Sequence, residues 1–167
     1  MPLSRSSGLR WRVIDVPRFS FSPGSTVNVM LAFEDTLRGG FYASLEKSDL
    51  GNSELNRPTG VNAHRLESLV RAWAVTGETR YWVPAARLIE FAERNVVDGP
   101  GGVVPDPVGD MQLIPEVNGL AIHAWLMWWT AGRDARYRSS AHKSLDRVGE
   151  ECWVDSGGFI QHAAFAG

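Results

Sequence analysis

Two segments of this chain follow the same pattern 56 residues apart: Trp73-Ala74-Val75-Thr76-Gly77-Glu78-Thr79-Arg80-Tyr81 and Trp129-Thr130-Ala131-Gly132-Arg133-Asp134-Ala135-Arg136-Tyr137. The same spacing separates two further pairs of landmarks, which are Val61-Asn62 with Val117-Asn118 and Gly101-Gly102-Val103 with Gly157-Gly158-Phe159. An earlier copy of the glycine turn is Gly39-Gly40-Phe41. Landmarks that stay in phase at such a period are typical of stacked supersecondary units.

The repeated unit is predicted to be a pair of antiparallel helices joined by a short turn. Apolar residues recur at helical spacing in four segments, which predicts helices over about 61–76, 81–97, 117–130 and 137–153. A shorter helix is predicted to begin at Ser25 or Thr26 and to end before Gly39. We expect Gly77 and Gly132 to stop the first helix of each pair. That first helix is the more apolar one, which favours inner and outer helices arranged in a ring.

Length, composition and charge indicate one globular domain. The chain has 167 residues, of which 44% are hydrophobic and 22% charged, and its formal net charge is -2. Residues 1–23 are predicted to form an extended segment, and residues 24–167 a single helical-hairpin repeat domain. Since no basic stripe stands out, nucleic acid and anionic membranes are poor candidates as partners.

The sequence lacks the usual signals for export, membrane insertion and cofactor binding. Cys152 is the single cysteine, so an internal disulfide and a cysteine-rich zinc site are excluded, and a cytoplasmic setting is the default expectation. Residues 1–17 lack the apolar core of a signal peptide, and no apolar run reaches about 18 residues. A His-x-x-x-His pair, a phosphate-binding loop and a Gly-x-Ser-x-Gly turn are also missing, so no metal and no cofactor is predicted.

Four stretches carry a resemblance to a known group of proteins: Gly39-Gly40-Phe41-Tyr42-Ala43-Ser44-Leu45-Glu46, Thr76-Gly77-Glu78-Thr79-Arg80-Tyr81, Asn118-Gly119-Leu120-Ala121-Ile122 and Asp155-Ser156-Gly157-Gly158-Phe159. On these residues the chain resembles the six-hairpin (α/α) toroid proteins. Within that group it is similar to the N-acylglucosamine 2-epimerase and cellobiose epimerase family. It is also similar to the six-hairpin domain of bacterial proteins that carry a thioredoxin-like domain.

The resemblance implies an all-α fold, namely a partial (α/α) toroid of antiparallel helix hairpins. About five main helices are expected, with a short extended N-terminal lead-in. A closed toroid of this period would need about six hairpins and roughly twice this length, whereas the chain offers one lone helix and two hairpins. The chain is therefore expected to be a fragment of a longer protein, a subunit completed by homo-oligomerisation, or a decayed copy.

The resemblance also implies where a ligand would lie, because toroids of this group bind it where the inner helices begin. On that basis His64 and Glu116 are the candidate catalytic residues. The candidate substrate-binding residues are Arg57, Asn62, Asp106, Asn118, His123 and Trp125. Histidine and carboxylate can transfer protons, asparagine and arginine can bind hydroxyl groups, and tryptophan can cover a sugar ring.

Each candidate could also have a purely structural role, and the sequence leaves both possibilities open. His64 shares a polar helix face with Glu67 and Arg71 and could be solvated or ion-paired. The corresponding structural roles are a core histidine at His123, a charge at a helix N-terminus for Glu116, a helix cap for Asn118, a solvated turn residue for Asp106 and an exposed side chain for Arg57. Trp125, Trp128 and Trp129 point in too many directions for one stacking platform, so at least one of them is expected in the core.

Two functions follow from the sequence. The first is a carbohydrate-active protein, similar to six-hairpin sugar epimerases and glycosidases, with a sugar as its ligand. The alternative is a non-catalytic helical-repeat module that binds a partner or pairs with itself, since unpaired hairpins leave apolar faces bare at both ends.

Overall fold

The computed structural model describes residues 24–43, 57–97, 101–105, 112–161 and 163–164. Five helices and four two-residue strands make up this part of the chain. The helices are α1 (Gly24–Leu31), α2 (Thr59–Thr76), α3 (Thr79–Asn95), α4 (Pro115–Gly132) and α5 (Ala135–Cys152). The strands are β1 (Gln112–Leu113), β2 (Trp153–Val154), β3 (Gly158–Phe159) and β4 (Ala163–Ala164). The all-α prediction is confirmed, and the extended segment predicted for residues 1–23 lies outside the described residues.

Two helical hairpins stand side by side and are joined through their first helices. Helix α2 pairs with α3, α4 pairs with α5, and α2 packs directly on α4, while α1 packs on α2. The core lies between these layers and consists mainly of buried apolar residues, which include Leu66, Leu69, Val70, Leu88, Ile89, Phe91, Ala121, Ala124, Trp125 and Trp128. Burying a large apolar side chain contributes about 1.5–3 kcal/mol, so this layer dominates the stability of the fold.

A chain of aromatic rings links the two hairpins. The Trp73 ring lies 4.6 Å from that of Trp82, centroid to centroid, and Trp82 stacks on Trp128 at 4.2 Å. Tyr137 meets Trp128 edge-on at 6.3 Å. Each such pair contributes about 0.5–1.5 kcal/mol beyond the area it buries. Trp73, Trp82 and Trp128 therefore help to pack the two hairpins against each other.

The first helix of each hairpin ends at a residue in the left-handed conformation. Gly77 has φ 70° and donates its N–H to Trp73 O, as predicted for the end of α2. Gly132 was expected to stop α4, but this expectation is wrong. Gly132 is the last helical residue, and Arg133 takes the left-handed position with φ 60°. The repeat places Arg133 where the first hairpin has Gly77, so the hairpin geometry determines which residue adopts this conformation.

Each outer helix leads into a glycine turn that reverses the chain. Gly39 and Gly40 have φ of 81° and 77°, and Gly101 and Gly102 have φ of 112° and 94°. A Cβ atom on Gly40 would lie 2.8 Å from the Phe91 ring, so this turn needs glycine for space as well as for conformation. Strands β2 and β3 form the third turn, and β1 pairs with β4 in a separate antiparallel ladder.

No helix among the described residues is long and apolar enough to cross a membrane.

Candidate functional site

Two histidines and one carboxylate meet where the inner helices α2 and α4 touch. The Glu67 Oε2 atom lies 4.0 Å from His64 Nδ1 and 3.6 Å from His123 Nδ1. The other oxygen of Glu67 pairs with the guanidinium of Arg71. We call these four residues the His64–Glu67–His123–Arg71 cluster. Glu67 and His123 are equivalent positions of the 56-residue repeat, so the cluster arises where the two copies of one helix face meet.

Both imidazoles of the cluster face solvent, whereas the carboxylate between them is sheltered. The side chains of His64 and His123 are 63% and 55% exposed, and that of Glu67 is 20% exposed. The two Nδ1–Oε2 distances fit ion pairs but are longer than direct hydrogen bonds. Both imidazoles are thus open to a ligand from the solvent side, and histidine is a residue type that transfers protons in many active sites. The interpretation of His123 as a core histidine is wrong, because its side chain is more than half exposed to solvent on the surface of α4.

Glu116 lies on the same face of α4 as His123 but does not reach the cluster. Seven residues separate the two, which is two helical turns, or about 10 Å along the axis. Its carboxylate is exposed in the first turn of α4, where it also complements the helix dipole. Glu116 therefore lies outside the cluster, at the start of α4.

A cleft extends from the cluster along the C-terminal halves of α2 and α4. Its volume is about 590 Å³, and Arg71 connects it to Glu67. Apolar and polar side chains share its walls, and among them are Val70, Trp73, Met127, Thr130 and Arg133. Small-molecule sites usually measure about 300–1,000 Å³, so this cleft has room for a sugar of one or two rings.

Asn62 and Asn118 hold glycine turns instead of facing the cleft. Asn62 Oδ1 accepts the N–H of Phe41 at 2.7 Å, and its Nδ2 donates to Phe41 O and to Pro58 O. Asn118 makes the same three bonds, with Val103 N–H at 2.8 Å, Val103 O and Ile114 O. Both side chains are buried. Since an asparagine amide carries two N–H groups, each has its donors fully used within the fold.

Arg57 is buried, so the expectation of an exposed side chain is wrong. Its Nη1 donates to Asp35 Oδ2 at 3.2 Å and to Gly39 O at 2.9 Å. The guanidinium also lies 4.8 Å from the centre of the Phe91 ring. Both acceptors belong to the segment that forms the first glycine turn, and the hydrogen bonds to them hold the Arg57 side chain inside the fold. Arg57 therefore supports the same turn that Asn62 holds.

Asp35 is a structural carboxylate that the sequence pattern did not single out. It accepts hydrogen bonds from Leu37 N, Arg38 N and Tyr42 Oη, and it pairs with Arg57. Burial alone would raise its pKa, but the bonds from Arg38, Tyr42 and Leu37 and the charge of Arg57 outweigh burial and hold the pKa below its ordinary value. The carboxylate thus stays charged beneath the first turn.

Trp125 lies in the core, and Asp106 lies outside the described residues. Trp125 is buried and borders an internal cavity of about 30 Å³ together with Asn62 and Phe91. Such a space is far below the roughly 300 Å³ at which small-molecule sites begin, so the ring has no open face for a sugar in this structure. No group of three His, Cys, Asp or Glu side chains that could hold a metal ion occurs in the described part of the chain.

Three solved structures with the same arrangement of helices are described as sugar-processing enzymes. A cellobiose 2-epimerase from Spirochaeta thermophila matches with a TM-score of 0.73 and 18% identity, over 83% of this chain and 36% of its own. A D-mannose isomerase matches at 0.66 and 12%, over 85% and 41%. An α-mannanase from Bacteroides thetaiotaomicron matches at 0.63 and 21%, over 78% and 37%. The chain is a partial (α/α) toroid.

As a partial toroid, the chain spans well under half the length of these structures. No protein-family model matches it, and no curated protein matches it. At these identities the likeness shows the fold alone. In this partial toroid α2 and α4 are the inner helices, and the exposed cluster lies on them.

Sequence reasoning selected His64 and His123 but missed the residue that brings them together. Glu67 follows His64 by three positions and is the repeat equivalent of His123. Residues three apart are neighbours on a helix. Comparison of the two repeat copies position by position would therefore have placed Glu67 beside both histidines.

Proposed function

We propose that this chain contributes the sugar-binding face of a carbohydrate-active toroid, in which His64 and His123 transfer protons to and from a bound sugar. The observation that carries this proposal is the pair of exposed imidazoles on either side of Glu67, at the head of a cleft of sugar size. The fold agrees with it, because the neighbours named above are an epimerase, an isomerase and a mannanase.

Isomerase or epimerase chemistry fits the cluster better than glycoside hydrolysis. Glycosidases generally use two carboxyl groups about 5–9.5 Å apart. The cluster has one carboxylate and two imidazoles. A histidine with a pKa near neutral can remove a proton next to a carbonyl, and a second histidine on another helix can return one. In this proposal Glu67 orients both rings and Arg71 binds sugar hydroxyls, whereas Glu116, at the opposite end of α4 from the cleft, has no role.

The proposed active protein is larger than this chain. The remaining hairpins of the ring would come from a longer polypeptide or from further subunits, since the chain matches 36–41% of the two isomerising neighbours. They would close the cleft and exclude water from the reacting carbon. The proposal places the protein in the cytoplasm, where the single thiol of Cys152 stays reduced.

Sugar binding can be tested by NMR titration of the chain with mannose and with cellobiose. We expect the imidazole C–H resonances of His64 and His123 to shift on binding. His64→Ala and Glu67→Gln should each weaken the binding at least tenfold. His142→Ala is the matched control, because His142 is exposed on the outer helix α5. Unmoved resonances at His64 and His123, or an equal loss in His142→Ala, would contradict the proposal.

A non-catalytic interaction module is the second candidate function, and one observation favours it. Trp153, Phe159 and Ile160 form an exposed apolar surface at the end of the second hairpin. Contiguous exposed apolar surface is often a site of protein–protein contact. With this function the chain binds no sugar, and neither mannose nor cellobiose moves any resonance.

A further inference from the structure

The third glycine turn has the same backbone hydrogen bond as the first two. Tyr42 N–H donates to Phe33 O at 3.0 Å, Val104 N–H to Val96 O at 2.9 Å, and Ile160 N–H to Cys152 O at 2.8 Å. In an antiparallel pair, the residue next to such a bond turns its own N–H and C=O away from the neighbouring strand. Phe41, Val103 and Phe159 therefore present their backbone groups outward in the same way.

The outward backbone groups of the first two turns are bound by an asparagine of the following inner helix. Asn62 takes the N–H and C=O of Phe41, and Asn118 takes those of Val103. Each asparagine is the fourth residue of its helix. The part of the chain that the structure describes supplies no such amide for Phe159. The third turn thus lacks the contact that completes the other two.

The side chains of the three turns differ in burial in the same way. Phe41 and Val103 are 0% exposed, whereas Phe159 is 56% exposed. Its neighbours Trp153 and Ile160 are 51% and 38% exposed, and the Trp153 ring meets the Phe159 ring edge-on at 5.2 Å. We call this surface the Trp153–Phe159–Ile160 face. The position of Phe159 is therefore core in the first two turns and surface in the third.

In the first two turns, the outer helix of the next hairpin also packs on the glycines. No described residue lies that close to the glycines of the third turn. Gly39 and Gly40 lie against Phe91 of α3. Ser144 of α5 accepts the N–H of Gly102 at 2.9 Å, and Arg147 of α5 donates to Gly101 O. A Cβ atom on Gly157 or Gly158 would meet nothing within 4 Å among the described residues. Among the described residues, neither an inner-helix asparagine nor the outer helix of a next hairpin contacts the third turn.

We propose that the Trp153–Phe159–Ile160 face is the docking site for one further helical hairpin of the same repeat. The inner helix of that hairpin has asparagine as its fourth residue, whose amide binds the N–H and C=O of Phe159, and its outer helix covers Gly157 and Gly158. A second copy of this chain is not the occupant, because its Asn62 and Asn118 already bind its own turns. This proposal does not depend on sugar binding.

The test is an extended chain in which a second copy of residues 105–160 follows directly after Ile160. This register places the new segment against Phe159 as α4 and α5 stand against Val103. Amide hydrogen exchange of Phe159 is the measurement, and the chain ending at Ile160 is the baseline, because the extension replaces residues 161–167. We expect the Phe159 amide to exchange at least a hundredfold more slowly in the extended chain.

The matched control is the extended chain with Asn118→Ala in the appended copy only, which should return the Phe159 amide to fast exchange. If the appended hairpin folds and Phe159 stays unprotected, the proposal is wrong. It is equally overturned if the hairpin stays unfolded, since the face then gives it no support. Dimerisation of the original 167-residue chain that protects Phe159 and is abolished by Phe159→Asp would make a second copy the occupant, against the proposal.

Discussion

At the scale of single residues, the two buried asparagines join each glycine turn to the inner helix that follows it. Each side-chain amide accepts one backbone N–H of the turn and donates to two backbone C=O groups, of which the one at the start of the helix also accepts the asparagine's own backbone N–H. A buried donor or acceptor that loses its partner costs about 1–3 kcal/mol. Asn62 and Asn118 were selected from the sequence as sugar ligands, and their contacts give them a structural role.

Replacement of Asn118 by alanine should lower the free energy of unfolding by about 2–4 kcal/mol, since Val103 N–H would lose its acceptor in a buried position. Urea denaturation measures the change. Asn95→Ala is the control, because Asn95 is exposed and bonds only to Phe91 O of its own helix, so its loss should cost under about 0.5 kcal/mol. Equal effects of the two substitutions would contradict the assignment.

Arg133 adopts the left-handed backbone conformation, which is unfavourable for a residue with a side chain. A non-glycine residue in the left-handed region costs about 1–2 kcal/mol, and the positive charge at a helix C-terminus offsets part of that cost. Arg133→Gly should therefore raise the free energy of unfolding by about 0.5–1 kcal/mol, measured by urea denaturation.

The first hairpin offers the reverse substitution as a control. Gly77→Ala should lower the free energy of unfolding by about 1 kcal/mol through the backbone alone, because a Cβ atom on Gly77 meets nothing within 4 Å. Destabilisation by Arg133→Gly would mean that the arginine side chain contributes more than its conformation costs.

At the scale of elements, each glycine turn is stabilised by residues distant in sequence. The first turn depends on Asp35 and on Arg57, which lies 22 residues from Asp35. The folded state holds the pKa of Asp35 below its unfolded value, so the carboxylate stabilises the fold at pH values above the unfolded pKa of about 4. That stabilisation is lost as the pH falls through the folded pKa.

We expect the melting temperature to fall as the pH drops below about 4, in part because Asp35 becomes protonated. Asp35→Asn should lower the melting temperature at about pH 6 and flatten its decline below about pH 4. Thermal melts monitored by circular dichroism from about pH 6 to about pH 2.5 measure both effects. Asp146→Asn, on the exposed face of α5, serves as the control. If the melting temperature of Asp35→Asn fell with pH as steeply as that of the original chain, Asp35 would not be a cause of the pH dependence.

At the scale of the whole molecule, the fold was predictable where the information is local. Apolar periodicity located all five helices, and α2 to α5 begin two residues before their predicted starts. The side-chain roles were not predictable, because they depend on partners that are far apart in sequence. Arg57 is buried only because Asp35 and Gly39 lie above it, and His123 acquires a carboxylate only because α4 packs on α2.

The asparagine contacts have a consequence for how the chain folds during synthesis. Asn62 follows Phe41 by 21 residues in the sequence, and Asn118 follows Val103 by 15 residues. As the polypeptide leaves the ribosome, each turn is thus completed only by the helix made next. The separations are short, so loop closure is fast, and domains form progressively from the N-terminus. The turn synthesised most recently therefore always lacks its asparagine contact, and the repeat is completed from the N-terminus towards the C-terminus.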